Sequence, residues 1–222
     1  MHIEIKKTAD GSSTLYVPEL NEHYHSMHGA VSESMHVFIR MGLDKILKPS
    51  MMILEIGFGT GLNAILTLLE AGTLKQIQYD CIETGPLTRD QVIALGYENY
   101  LHLSAGQREH FLQMHTCTWG ERISITNSFS LRKMKVSLQD LEVDNSYDLV
   151  YFDAFAPRVQ PELWEESIFS KLYLSMGSGG ILVTYCAKGE VRRCMQRAGF
   201  EVERLPGPPG KREMLRAKKT RE

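Results

Sequence analysis

Three glycines at alternate positions, Gly57, Gly59 and Gly61, follow the apolar run Ile53-Leu54-Glu55-Ile56 and precede Leu62-Asn63. Such a run reads as a buried strand, a tight turn and the start of a helix. Glycine accepts the backbone angles of so sharp a turn and leaves no Cβ between the chain and a ligand lying on it. The helix that begins near Leu62 turns its free N–H groups towards the same place. Dinucleotide folds space their glycines as G-x-G-x-x-G. This loop runs G-x-G-x-G behind a strand that carries Glu55. The competing interpretation is a structural turn with no ligand.

The next strand favours a ligand. Gln76-Ile77-Gln78-Tyr79-Asp80-Cys81-Ile82 is apolar-rich and ends on Glu83. A carboxylate at that strand tip can accept from both hydroxyls of a ribose. An ordinary loop carboxylate is the alternative.

Strand and helix patterns alternate from residue 51 onward. Helices are expected over 62–71, from near Pro86, over 97–115, over 161–174 and over 189–198. Strands are expected over 51–56, 76–82, 122–126, 147–152 and 181–185, with a turn at 177–180. Two last strands, near 200–205 and 213–217, flank Pro206-Gly207-Pro208-Pro209-Gly210 as a hairpin. The alternation predicts an α/β domain over 51–222 with a mostly parallel sheet covered on both faces. Residues 1–50 are expected as an N-terminal extension: a strand at 14–17, a polar loop and a helix over 31–47.

Composition narrows the class. The 222 residues are 43% apolar and 23% charged, as in an ordinary globular protein. No stretch approaches the roughly 18–20 apolar residues that span a bilayer. The N-terminus lacks an apolar leader core, so neither membrane insertion nor export is expected. Cys81, Cys117, Cys186 and Cys194 are scattered without a C-x-x-C pair, which fits reduced thiols and a cytoplasmic setting. His23, His25 and His28 crowd one polar loop, but no Cys or paired carboxylate completes a ligand set, and no metal is expected. Net charge is −2, yet residues 188–222 hold eleven Lys and Arg against five Asp and Glu. That segment is either a phosphate-facing patch or a solvated tail.

In parallel sheets ligands bind beyond the carboxyl ends of the strands. Gly57, Glu83 and Asp153 all fall there. An acid at position 153 can orient an amine nucleophile and accept its hydrogen bond, and Phe155 can offer a stacking face. A strand-end Asp capping the next turn beside a core Phe is the plainer alternative.

The glycine loop with Glu55 resembles motif I of class I S-adenosylmethionine-dependent methyltransferases. Phe152-Asp153-Ala154-Phe155-Ala156-Pro157, Pro161-Glu162-Leu163-Trp164 and Lys211-Arg212-Glu213-Met214-Leu215 are more selective. With Val191-Arg192-Arg193 and Gly57 to Asn63 they resemble the tRNA 5-methylaminomethyl-2-thiouridine methyltransferases, the methyltransferase part of MnmC-type enzymes. The resemblance implies a Rossmann-like, mostly parallel seven-stranded sheet. It also implies methyl transfer from S-adenosylmethionine to the amine of 5-aminomethyl-(2-thio)uridine at the tRNA wobble position, in the anticodon stem-loop. By the same carry-over Glu55, Gly57, Phe58, Gly59, Gly61, Asn63 and Glu83 hold the donor. Ser137 stands where the family carries an acid for the adenine amino group, with Asp140 three residues on. The resemblance implies Asp153, with Phe155, as the catalytic position. It implies Tyr24, His28, Arg192, Arg193, Lys211 and Arg212 as the substrate and tRNA contacts. Related chains often continue into a flavin-dependent oxidase; this one ends at Glu222, so neither an oxidase half nor a flavin is expected. Two rivals stay open. An aminopropyl transferase or small-amine methyltransferase on the same fold would favour an acidic pocket, against the basic K-R-E-M segment. A non-catalytic RNA-binding module would not need Asp153 and Phe155.

Overall fold

The computed structural model describes residues 2–142 and 147–220; Met1, Arg221 and Glu222, which entered the interpretation of the termini, lie outside them. The N-terminal segment opens with an antiparallel sheet of β1 (Glu4–Lys7), β2 (Ser13–Val17) and β3 (Glu22–His23). α1 (Ala30–Ser34) continues as a π-helix over Met35–Arg40, and a 3-10 turn follows at Leu43–Lys45. The helix expected over 31–47 is therefore three shorter pieces.

The main sheet contains β4 (Ser50–Ile56), β5 (Gln76–Ile82), β6 (Arg122–Ser124), β7 (Phe129–Met134), β8 (Tyr147–Phe152), β9 (Met176–Thr184), β10 (Glu201–Pro206) and β11 (Glu213–Lys218). Its spatial order is β10-β11-β9-β8-β4-β5-β7-β6. The five central strands run parallel, while β6, β10 and β11 close the edges antiparallel. The sheet thus has eight strands rather than seven. The additional one is β7, whose inward positions are Phe129, Leu131 and Lys133. A lysine in that row conceals the alternation. Lys133 is fully buried because its Nζ donates to the His115 carbonyl at 2.6 Å and lies 4.7 Å over the Trp119 ring.

Between these strands lie α2 (Leu62–Ala71), α3 (Arg89–Leu95), α4 (Tyr97–Tyr100), α5 (Ala105–Thr116), α6 (Glu166–Ser175) and α7 (Gly189–Arg197). α3 starts three residues after Pro86 because Thr88 and Gln91 form a capping box. Ser104 and Gln107 form another, which splits the helix expected over 97–115 into α4 and α5. The turn expected at 177–180 is instead the first half of β9, with a register shift opposite Tyr147 and Leu149.

Side chains alternate across the sheet. Ile53, Tyr79, Leu131 and Tyr151 pack on one face with Leu15, Val37 and Phe38 of the N-terminal segment. Leu54, Val150, Phe152 and Leu182 pack on the other with Phe169 and Met195. The first 50 residues therefore share the core of the sheet.

One buried charge braces the edge. Asp80 is fully buried on β5 and accepts from Arg122, Arg132 and, at 2.9 Å, the Tyr147 hydroxyl. Asp80→Ala strands both guanidinium groups and is expected to cost about 3 kcal/mol, read as a lower urea midpoint at unchanged slope. A loss under about 1 kcal/mol would place the brace outside the stabilising set.

Candidate active site

The carboxyl ends of β4, β5 and β8 open into a cavity of about 550 Å³. Its floor is the glycine loop. Gly57, Gly59 and Gly61 take φ of +89°, +48° and +69°, angles that disfavour any side chain. A Cβ on Gly57 would stand 2.8 Å from the carbonyl oxygen of Asp153. Only glycine lets the loop lie against the end of β8. Phe58 is buried, in ring contact with His115 at 5.1 Å.

Glu83 ties the loop to the end of β5. Its Oε2 accepts from the Gly59 N–H at 2.9 Å, and its Oε1 accepts from Thr84 and Gly85 N–H at 2.8 and 2.7 Å. A carboxylate has about four acceptor sites, so one remains for a hydroxyl in the cavity. Ser137 also lines this half; its hydroxyl donates to Asp140 at 2.6 Å and accepts the Asp140 N–H at 3.2 Å. Asp140 itself is not among the lining residues.

The other half is built around Asp153. Asn63 Nδ2 donates to Asp153 Oδ2 at 2.8 Å and to Glu55 Oε1 at 2.9 Å. Glu55 is fully buried, and burial holds its carboxyl well above the usual carboxylate range. Burial, reinforced by the nearby Glu33 charge, raises the Asp153 carboxyl to about 7; the Asn63 hydrogen bond and the Lys211 charge oppose the rise. Phe155 is held by three bonds around its loop. Its N–H donates to Gln160 at 3.1 Å, its carbonyl accepts from Trp164 at 2.8 Å, and Tyr185 donates to the Ala154 carbonyl at 2.8 Å. Tyr24 meets the Phe155 ring edge-on at 5.1 Å and packs beside Gly59. An ion pair between Glu22 and Arg158 straps β3 to the same region.

Lys211 lies in the cavity rather than out on the surface. Its Nζ donates to Glu33 at 3.0 and 3.3 Å and sits 4.0 Å over the Tyr185 ring. Arg212 and Arg193 are exposed, and Arg192 is half-buried. His28 is exposed and packs on Gly210, where a Cβ would come within 2.0 Å of its ring. His25 is buried beside Thr14 and Thr60; burial, with the Lys211 charge, lowers it to about 4, so it is neutral at neutral pH. Among the described residues no three His, Cys, Asp or Glu side chains cluster as a metal site, and no helix is long and apolar enough to cross a membrane.

Glu33 and Tyr185 are among the lining residues that sequence reasoning missed. Tyr185 follows β9 at the same strand end as Asp153 one strand away, a signal that was available. Glu33 had none, because its direction depends on how α1 docks.

A group with raised proton affinity destabilises the fold when it ionises. Asp153 is protonated in both states below its ordinary value of 3.8 and ionised in both above about 7. Asp153→Asn should therefore gain stability that grows across that window and is fully present above it. About 4 kcal/mol is expected at pH 8 and almost none below pH 4, from thermal unfolding at both values. An equal gain at both would refute the cause.

Residues 106–220 match a family model described as S-adenosyl-L-methionine-dependent methyltransferase. The tRNA 5-methylaminomethyl-2-thiouridine biosynthesis bifunctional protein MnmC of Cupriavidus metallidurans is 30% identical over 220 residues, covering 92% of this chain and 32% of that protein. The chain thus spans about a third of the length of the curated relatives it matches. The crystal structure of MNMC2 from Aquifex aeolicus aligns with a TM-score of 0.76 at 25% identity, over 100% of this chain and 72% of its own. Spermidine synthase from Thermotoga maritima shares the fold alone, with a TM-score of 0.59 at 12% identity over 99% of this chain and 69% of its own. The sheet, the glycine loop with its strand-end carboxylate and the family match agree: the chain belongs to the S-adenosyl-L-methionine-dependent methyltransferases, with S-adenosyl-L-methionine as co-substrate.

Proposed function

We propose that this chain methylates the primary amine of 5-aminomethyl-(2-thio)uridine at the wobble position of tRNA, giving 5-methylaminomethyl-(2-thio)uridine. The observation that carries the proposal is the contact of Gly57 with the Asp153 backbone, which sets the glycine loop against the strand end that carries the Asp153 carboxyl. The methyl donor supplies an activated carbon on a sulfonium. The glycine loop and Glu83 orient it, with Glu83 towards the ribose and Ser137 towards the adenine. Asp153 receives the amine. Its raised proton affinity suits it to take a proton from an ammonium near neutral pH. The freed nitrogen lone pair then attacks the methyl carbon in line, the S–C bond breaks towards sulfur, and the product amine leaves protonated. Positioning supplies most of the rate. Phe155, braced edge-on by Tyr24, offers a face for the flat uracil.

The cavity lining favours a cationic acceptor. Glu22, Glu33, Glu83, Asp153 and Glu162 face it, and its single lysine, Lys211, is paired with Glu33. An acidic lining would also suit a polyamine, so the basic K-R-E-M segment no longer argues against that rival. The tRNA biosynthesis named for the MnmC relatives and the exposed Arg193 and Arg212 favour tRNA. His28, Arg192, Arg193 and Arg212 are proposed to contact the anticodon stem-loop, and Lys211 to meet the substrate inside the cavity. A cytoplasmic setting goes with this substrate. Residues 1–50 are proposed as an extension that completes the acceptor half of the 51–222 methyltransferase domain.

Labelled methyl transfer to tRNA carrying 5-aminomethyluridine, with nucleoside mass spectrometry and free polyamines in parallel, tests the substrate. The expected product is 5-methylaminomethyluridine, lost in Asp153→Ala while donor binding stays nearly intact. Transfer only to polyamine would replace the tRNA reading. Glu83→Ala is expected to weaken donor affinity by about 1.5–3 kcal/mol in calorimetry; unchanged affinity would remove Glu83 from the ribose.

A further inference from the structure

Asn63, the second residue of α2, is only 2% exposed. Both hydrogens of its amide are spent inside the protein, on Glu55 at 2.9 Å and on Asp153 at 2.8 Å. Its Oδ1 is buried and has no partner among the described residues. The amide therefore has neither a free donor nor an exposed acceptor to offer a methyl donor in the cavity. Behind it Glu55 is fixed in β4, between Cys81 of β5 and Tyr151 of β8. In front of it stands Asp153, at the end of β8.

We propose that Asn63 is a positioning residue for methyl transfer: anchored on Glu55, it clamps Asp153 Oδ2 and leaves Oδ1 to the acceptor amine. Resting on the assignment of Asp153 to that amine, this moves Asn63 out of the donor-binding set and into the acceptor side. The chemistry of the side chain fits the task. A carboxylate at position 63 would repel both neighbours. A cation would depress the basicity of Asp153, and a hydroxyl has one hydrogen for two acceptors. A neutral amide fixes position at a modest cost in basicity.

Asp153 is also felt by Glu33 of α1, Lys211 of the β10–β11 loop, Tyr185 beyond β9, Tyr97 of α4 and Glu55 through Asn63. Glu33 raises its proton affinity, while Lys211 and the Asn63 N–H lower it. Removing that N–H takes away a bond to the charged form, so Asp153 must hold its proton to higher pH.

The test is Asn63→Ala, with Asn63→Ser as a second variant that keeps one shorter donor should the first not fold. Donor affinity by calorimetry is expected within about threefold of the parent, since the amide offers the cavity no free hydrogen-bonding atom. At pH 7, kcat on tRNA carrying 5-aminomethyluridine should fall on the order of 10²-fold, and part of it should return as pH is raised. Independently of activity, carboxyl carbon NMR of donor-bound protein, with Asp153 assigned by Asp153→Asn, should show its midpoint rise by about one pH unit. An unmoved midpoint overturns the proposal. So does a tenfold or larger loss of donor affinity with kcat intact, which would return Asn63 to the donor side. If the parent protein fails to methylate tRNA, the substrate assignment falls, while the NMR titration still decides the role of Asn63.

Discussion

The site depends on the contact between the glycine loop and the end of β8, where the missing Cβ of Gly57 leaves room for the Asp153 carbonyl. A side chain there would push the two apart, and with them the glycine loop and the Asp153 carboxyl. The neighbouring hydrogen bonds keep the same register. Gly57 and Phe58 N–H groups both bond the Ile82 carbonyl, and Asp153 N–H bonds the Ile56 carbonyl. Three adjacent strand ends are thereby stitched into one rim, and Glu83 closes it from β5. Preorganisation of this kind lets the protein align two reactants without rearranging when they arrive.

The same rim concentrates negative groups where water is scarce. Glu55, Asp153 and Glu33 lie close enough that burial and mutual repulsion raise the proton affinity of Glu55 and Asp153. Among the described residues only Glu33 of these three forms an ion pair, with Lys211, whose charge offsets part of the rise at Asp153. The arrangement is poor for stability and well suited to receiving a cation. Such a conflict is characteristic of a functional site rather than of a packed core. The N-terminal segment is part of the bargain, since Tyr24, His25 and Glu33 all line the cavity.

Much of this was legible in the sequence, and the failures have physical causes. The glycine spacing, Glu83 and the Asp153-to-Pro157 run mark strand ends, where local chemistry dictates geometry; all three meet in one cavity. The hairpin of β10 and β11 was likewise readable from its Pro-Gly loop. β7 was missed because Lys133 occupies an inward position that only tertiary contacts make tolerable. The helix over 97–115 was read as continuous because apolar residues on both sides of Ser104 mask its cap. Lys211 is expected from the sequence as a substrate or tRNA contact, but nothing near it in sequence reveals its partner, a carboxylate 178 residues away. Long-range pairing of that kind is invisible to periodicity.

The proposed methyl transfer requires the donor's reactive carbon and Asp153 to face each other across one cavity. A crystal structure with a donor analogue bearing an amine in place of the S-methyl group tests it most directly. The expected complex has the ribose on Glu83 and the amine within about 3–3.5 Å of an Asp153 oxygen or one water away. An analogue seated with its amino-acid tail on Asp153, or with its amine turned towards the Ser137 side, would contradict it.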